Sequence, residues 1–370
     1  MVLKVSDLQA RYLRFSAQNL VRKKSQAAVS GTQVVKDLVG IQAQEASAAY
    51  LSIYSRCTTI TPAGIEYEIF EARSVVRAWF MRGTLHLVAT EDLDWLLPLL
   101  APIFINKNRR RYDELGLDEA AIARGVCIIE EVLANQGPMS RHQLAPYLVD
   151  KGVNIAGQAL IYLINRAAWE GVLCLGPTVN GKQTYVSLIN WIGRDLKEKP
   201  PAGEILLAER YLSAYGPAGQ EDFAAWSGLP LKAAREAFSE LGDKLAEVEF
   251  PCGRGFILSE QAANLDKSPP EALGIRLLPK FDTFLLGYND RKLFLSPEHK
   301  KKVNAGGGIL RAVLMVDGYV QGVWRITRAR SGVNIDVEPF RQLSGSERQG
   351  LAEEIDGIRA FLEMDVEQNL

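Results

Sequence analysis

Cysteine, histidine and long apolar runs are all scarce in this chain, and each scarcity closes off a class of protein. The four cysteines among 370 residues, Cys57, Cys127, Cys174 and Cys252, form no CxxC pair. Neither a disulfide framework nor a zinc finger is therefore expected, and the thiols read as reduced core residues. The three histidines, His86, His142 and His299, lack ligand spacing, so no metal is expected. No apolar run approaches the ~20 residues that cross a bilayer. The opening segment MVLKVSDLQARYLRF carries charge where a signal peptide needs an apolar centre, which points to the cytoplasm and to no membrane partner.

Charge of one sign is missing too: 43 Lys and Arg face 44 Asp and Glu, a formal net charge of −1. A globally basic, histone-like binder is thereby excluded, and any nucleic-acid surface must come from local segregation of charge. Between residues 276 and 330, eleven basic residues, among them Lys280, Arg291, Lys292, Arg325 and Arg328, face four acidic ones. A second cluster is Lys107-Asn108-Arg109-Arg110-Arg111-Tyr112. Each cluster alone reads equally well as a solvated surface run. The phosphate loop GxxxxGK[ST], a GxGxxG opening a helix after a strand and the GxSxG elbow are absent, which removes the common nucleotide and acyl-transfer signatures. No cofactor is expected, and Gly306-Gly307-Gly308 reads as a loop rather than a phosphate cradle.

What is present is a repeated order of elements. Paired prolines in 197–203 and in 265–271 disfavour helix and sheet alike and divide the chain near 200 and near 270. The clearest repeat has helices over 120–135, 141–150 and 158–169, then strands over 172–175 and 184–187 around Asn180-Gly181, a dipeptide suited to the positive φ angles of a tight turn. The order returns with helices over 204–215, 220–227 and 231–241 and strands over 245–250 and 255–258. The N-terminal region divides likewise, into helices over 5–20, 32–39 and 45–56 and strands over 75–80 and 84–88. Three helices and a hairpin make a winged-helix order. The expected fold class is therefore α+β, with three tandem winged-helix units at 1–100, 101–199 and 204–264. Residues 272–370 read as a β-rich region, with strands over 276–285, 293–295, 309–316, 319–326 and 333–337 and an amphipathic helix closing the chain over 346–364.

Two segments concentrate chemistry. Gln42-Ala43-Gln44 stands between the expected second and third helices. Residues two apart point to different sides of a helix but to the same side of an extended segment, so an extended turn would present both amides together. A primary amide is a poor general base, yet it can hold a water in a fixed orientation while contacting a sugar or base edge. That suffices where the leaving group is already activated, as in release of a cationic N-alkylated purine from deoxyribose. By spacing alone the pair also reads as ordinary turn residues. The second segment, Val76 to Val88, alternates Arg77, Trp79 and Met81 along one strand face and places Arg82-Gly83-Thr84 at a turn. Arg82 there could reach a phosphate and His86 could orient a neighbour. A packed strand with one satisfied core histidine is the equal alternative.

Taken together, Leu38-Val39-Gly40-Ile41-Gln42-Ala43-Gln44, the run from Arg77 to Val88 and the run Asp282-Thr283-Phe284-Leu285-Leu286-Gly287-Tyr288-Asn289-Asp290-Arg291 resemble the AlkZ/YcaQ-like bacterial winged-helix DNA glycosylases, over nearly the whole chain. The resemblance implies tandem winged helices around a concave, C-shaped DNA-binding channel. It implies hydrolysis of the N-glycosidic bond of N-alkylated (N7-type) purines, interstrand crosslinks among them, without metal or redox cofactor. Gln42 and Gln44 match the family's catalytic pair. The YcaQ-type branch has an acidic residue at the position of Gln44, so this chain is more similar to the AlkZ branch. A monofunctional, monomeric, nucleoid-associated repair enzyme is implied, with double-stranded DNA as its partner. The residues expected at the DNA are Arg77, Trp79, Arg82, Thr84, His86, Arg109, Arg110, Lys280, Arg291, Lys292, Arg325 and Arg328. Competing readings are a non-enzymatic DNA-binding regulator, whose third helices enter major grooves, and a protein-interaction module. Against the regulator, the helix expected over 158–169 carries Arg166 as its one basic side chain, where base-edge readout needs more polar groups.

Overall fold

Helices start where a short polar side chain can satisfy the free N–H groups of a first turn. Ser6 accepts from the Gln9 amide at 3.2 Å, Ser30 from Gln33 at 3.1 Å and Asp118 from Ala121 at 2.7 Å, opening the helices Asp7–Ala17, Gly31–Asp37 and Glu119–Gln136. The structure, a computed structural model, describes residues 2–21, 29–196, 203–262, 272–329 and 332–368, and of these the side chains of all but 328, 329, 332 and 364–368. Most of both proline-rich stretches lies outside the described residues. Among the described residues no helix is long and apolar enough to cross a membrane.

Packing groups the chain into two compact units, one of residues 67–203 and one of residues 1–66 with 204–370. In the first, the helices Glu119–Gln136, Arg141–Asp150 and Ala159–Trp169 precede the strands Leu173–Val179 and Lys182–Ser187. Asn180 and Gly181 turn between these strands with φ of 50° and 72°, the left-handed pair such a hairpin requires. Ile129, Leu144, Leu163 and Leu173 meet in one buried apolar cluster. The strands Val75–Trp79 and Leu85–Ala89 belong here as well: Arg77 pairs with Leu175, so the hairpin extends the sheet of residues 173–187. A cut near residue 100 would have separated them.

In the second unit the helices Gly203–Tyr215, Gln220–Ser227 and Leu231–Leu241 are followed by the antiparallel strands Leu245–Phe250 and Gly253–Leu258. A strand absent from the sequence reading, Val2–Lys4, pairs parallel to Leu245–Phe250. Ile275–Leu278, Ala312–Val316, Tyr319–Ala329 and Gly332–Pro339 form a four-stranded antiparallel sheet in that order, and the helix Gly345–Gln368 brings Glu354 to Arg276. Two expected strands are corrected. The run 276–285 is strand only to Leu278, because Pro279 and a positive φ of 57° at Phe281 break it and the Asp282 carboxylate caps a helical turn, Thr283–Leu286, through the Phe284 amide at 2.9 Å. Residues 293–295 are buried but form turns rather than strand, so their apolarity reflects core packing and not sheet pairing.

Candidate active site

Gln42-Ala43-Gln44 is held between two helices. Gly31–Asp37 ends in a Schellman closure: the Gly40 amide donates to Val35 O at 2.9 Å and the Val39 amide to Lys36 O at 3.0 Å. The position that usually holds glycine in this motif is Val39, at φ 56° and 1% exposed. A β-branched residue there is strained by roughly 1–2 kcal/mol, and such strain persists only where surrounding packing over-determines it. The backbone then extends through Ile41–Gln42 and bends at Gln44 and Glu45 before the helix Ala46–Tyr54. Of the extended segment expected through Gln44, Ile41–Gln42 is strand and Gln44 already lies in the bend. The two amides differ in setting, however: Gln42 is 8% exposed and Ala43 is fully buried, whereas Gln44 is exposed.

The Asp282–Arg291 segment anchors this loop. Arg56, two residues beyond the helix Ala46–Tyr54, makes a bidentate pair with Asp282, both contacts at 2.9 Å, and the two side chains are 1% and 0% exposed. Ser52 donates to the same carboxylate at 2.6 Å, and Arg56 also reaches Gln18 at 2.8 Å. Lys280 pairs with Glu45 at 3.3 Å where the helix begins. One short stretch, 280–282, thus ties down both the start and the second half of the helix that follows Gln44. Phe281 lies between the two ties in its left-handed conformation. Farther along, Gly287 O accepts from Tyr211 at 2.7 Å, and the Tyr215 ring lies so close that a Cβ at Gly287 would sit 2.4 Å from it. Burial pushes the Tyr215 hydroxyl up to about 12, so it keeps its proton and donates to Leu38 O at 3.2 Å, immediately before Val39.

Beside Glu45 and Lys280 opens a cavity of about 300 Å³ walled by Ala48, Leu51, Trp324 and Ile326, with Arg325 also on its lining. Arg325 is paired with Asp336 at 3.2 Å and is exposed. The Arg328 side chain lies outside the described residues. Arg291 and Lys292 share a second cavity with Lys300. Not all of the basic window is surface: Arg276 is buried against Glu354 at 3.3 Å.

In the unit of residues 67–203, Arg77 and Trp79 lie half-buried on the same strand, and Arg77 donates to Gln183 at 3.1 Å. Met81 does not continue their face: it is fully buried in a turn of 3-10 helix, Met81–Gly83, in which Arg82 adopts φ 59°. Thr84 closes that turn on Met81 O at 3.1 Å. His86 is interior, 2% exposed, with Nδ1 2.8 Å from Thr84 O. Burial, helped by the charge of Arg82, pushes its pKa down to about 3, so it is neutral at pH 7 and braces the hairpin from inside. Arg109 and Arg110 are exposed on the helix Arg109–Glu114, where Arg110 pairs with Glu114 at 3.0 Å. Glu45, Ser52, Arg56 and Tyr215 carry no local signal in the sequence, because their partners are remote in the chain.

The model described as DNA glycosylase AlkZ-like matches residues 35–361, and the chain belongs to that family. The interstrand DNA cross-link repair glycosylase of Streptomyces sahachiroi is 32% identical over 313 residues, covering 80% of this chain and 82% of that one. The solved structure of the Streptomyces sahachiroi DNA glycosylase AlkZ superposes with a TM-score of 0.83 at 28% identity, over 97% of each chain.

Proposed function

We propose that this chain is a monofunctional DNA glycosylase that hydrolyses the N-glycosidic bond of N7-alkylated purines, interstrand crosslinks among them, in bacterial DNA repair. It acts as a cytoplasmic, nucleoid-associated monomer built from three winged-helix units. The observation that carries the reading is the Gln-Ala-Gln loop itself: an extended stretch after a strained Val39, with its following helix pinned by Asp282 and Lys280. The crosslink-repair activity named for the Streptomyces sahachiroi relative supports the substrate class.

N7-alkylation leaves the purine cationic. As the C1′–N9 bond breaks, its electron pair moves into the base and neutralises that charge, so the leaving group needs no general acid. A water forms the new C1′–O bond and releases its proton to solvent. The side chains must therefore position rather than protonate, a task suited to amides. One glutamine orients the water and its companion supports the sugar as positive charge develops there. Exposed basic side chains, Arg109, Arg110 and Arg325 among them, hold the duplex through its phosphates.

Duplex DNA carrying 7-methylguanine provides the test. Base release, read as alkali-labile strand breaks, is expected from the wild type and not from Gln42→Ala/Gln44→Ala, which still binds the duplex. Release undiminished in that double variant would remove the catalytic assignment. Arg166 weighs against a sequence-reading regulator. As the one basic residue of Ala159–Trp169 it is occupied by Glu119 at 3.2 Å and by Glu170, which leaves that helix without a free cation for base edges.

A further inference from the structure

Three buried guanidiniums of the unit formed by residues 1–66 and 204–370, Arg14, Arg56 and Arg276, and a half-buried one, Arg291, differ in what balances their charge. Arg56 has Asp282 and Arg276 has Glu354. Arg14 has no carboxylate among the described residues, but it lies 3.7 Å over the Tyr288 ring and donates twice to Pro217 O, at 2.9 and 2.7 Å. Arg291 has none of these. Its single hydrogen bond among the described residues is to the neutral Asn304 Oδ1 at 3.3 Å, and its Nε is buried without a partner. A partly desolvated cation with no counter-charge is costly, and burial lowers its pKa accordingly.

Arg291 lines a cavity of about 350 Å³ with Asn289, Asp290, Lys292, Ser296 and Lys300. The one acid on this lining, Asp290, is already engaged by Lys292, through Nζ at 3.3 Å and the backbone amide at 3.0 Å. Arg291 and Lys300 are left without a carboxylate among the described residues. A forked guanidinium and a mobile ammonium on one concave lining are suited to an oxyanion with several acceptor oxygens.

We propose that this cavity is a phosphate site, and that its occupant is a backbone phosphate of duplex DNA, with Arg291 and Lys300 as its ligands. The site rests on the glycosylase reading for the identity of the occupant, but its anion preference follows from the unbalanced charge alone. Binding there is independent of base sequence, because a phosphate carries no sequence information.

Two measurements on the full chain test it. In the first, affinity for an undamaged duplex is followed from low to high salt for the wild type, Arg291→Met, Arg291→Lys and Lys300→Gln. Each phosphate neutralised contributes about 0.9 to the slope of log K against log salt. Arg291→Met is expected to lower that slope by about one and weaken binding about tenfold, while Arg291→Lys keeps the slope. In the second, thermal unfolding is followed with inorganic phosphate against chloride at matched ionic strength. Phosphate is expected to raise the Tm of the wild type and not that of Arg291→Met, whose own Tm is no lower than that of the wild type because an unbalanced charge has been removed. A lowered Tm with an unchanged salt slope would make Arg291 structural and overturn the site, and Lys300→Gln, at an exposed position, supplies the same slope test if Arg291→Met does not fold. Stabilisation by phosphate with no change of slope in any variant would overturn the DNA occupant. Failure of the wild type to bind duplex at all would overturn the glycosylase reading, and the phosphate arm would then decide the anion site by itself.

Discussion

The two compact units meet the same packing problem with different chemistry. Residues 67–203 close around an apolar cluster, and their ion pairs reach solvent: Arg194 and Asp94, 2.8 Å apart, are 33% and 14% exposed. The unit carrying Gln42 and Gln44 instead draws charges inside, with Arg56 on Asp282 and Arg276 on Glu354. Apolar side chains of suitable volume can be exchanged with modest loss, whereas a buried fork on a carboxylate tolerates neither a change of partner nor a shift of geometry. The interior charges therefore fix one position of the helix that follows Gln44, which suits the placing role proposed for Gln42 and Gln44.

Paired substitutions test that contrast most directly. Asp282→Asn leaves Arg56 buried without its counter-ion and is expected to lower the unfolding free energy by about 3–5 kcal/mol, read by urea denaturation. The matching change in the other unit, Asp94→Asn, is expected to stay below about 1 kcal/mol, because its partner Arg194 is a third exposed. Equal losses from the two would break the comparison.

A smaller effect is expected from Gly287→Ala. The new Cβ would meet two Tyr215 ring carbons at 2.4 and 2.7 Å, and overpacking of this kind costs about 1–3 kcal/mol. Displacing that ring also loosens the hydroxyl held on Leu38 O. Base release is therefore expected to fall further than the loss of folded protein explains. If activity per folded molecule is unchanged, the Tyr215 contact does not position the loop.

These features differ in how far the sequence discloses them. Asn180-Gly181 and Asp317-Gly318 are legible because both residues of each pair must take positive φ, and they do, at 50° and 72° and at 49° and 72°. The helices over 141–150, 220–227 and 231–241 are legible because periodicity and end signals agree. Arg56 and Asp282 are not, since 226 residues separate them and no local spacing announces a buried pair. The strand expected through Phe281 fails for a related reason: apolar residues mark burial, but only the Asp282 cap and the left-handed Phe281 determine that the chain turns there. The Gln-Ala-Gln position was visible as a break between helices, while the burial of Gln42 against the exposure of Gln44 is set by tertiary packing.

His86, interior in the unit of residues 67–203, gives the comparison a pH axis. His86 is neutral when folded because burial, chiefly, and the charge of Arg82 hold its pKa down to about 3, whereas in the unfolded chain it titrates near its ordinary value of about 6.5. Between those values the unfolded state binds a proton that the folded state refuses. Stability is therefore complete above pH ~6.5 and falls as the pH drops toward 3, by up to about 1.4 kcal/mol per pH unit. Urea unfolding at pH 7, 6 and 5 measures the slope. His86→Asn, which keeps a donor for Thr84 O but cannot titrate, is expected to flatten it at the cost of some packing. An unchanged slope in that variant would mean that the acid sensitivity arises elsewhere and that His86 is not held neutral by its surroundings.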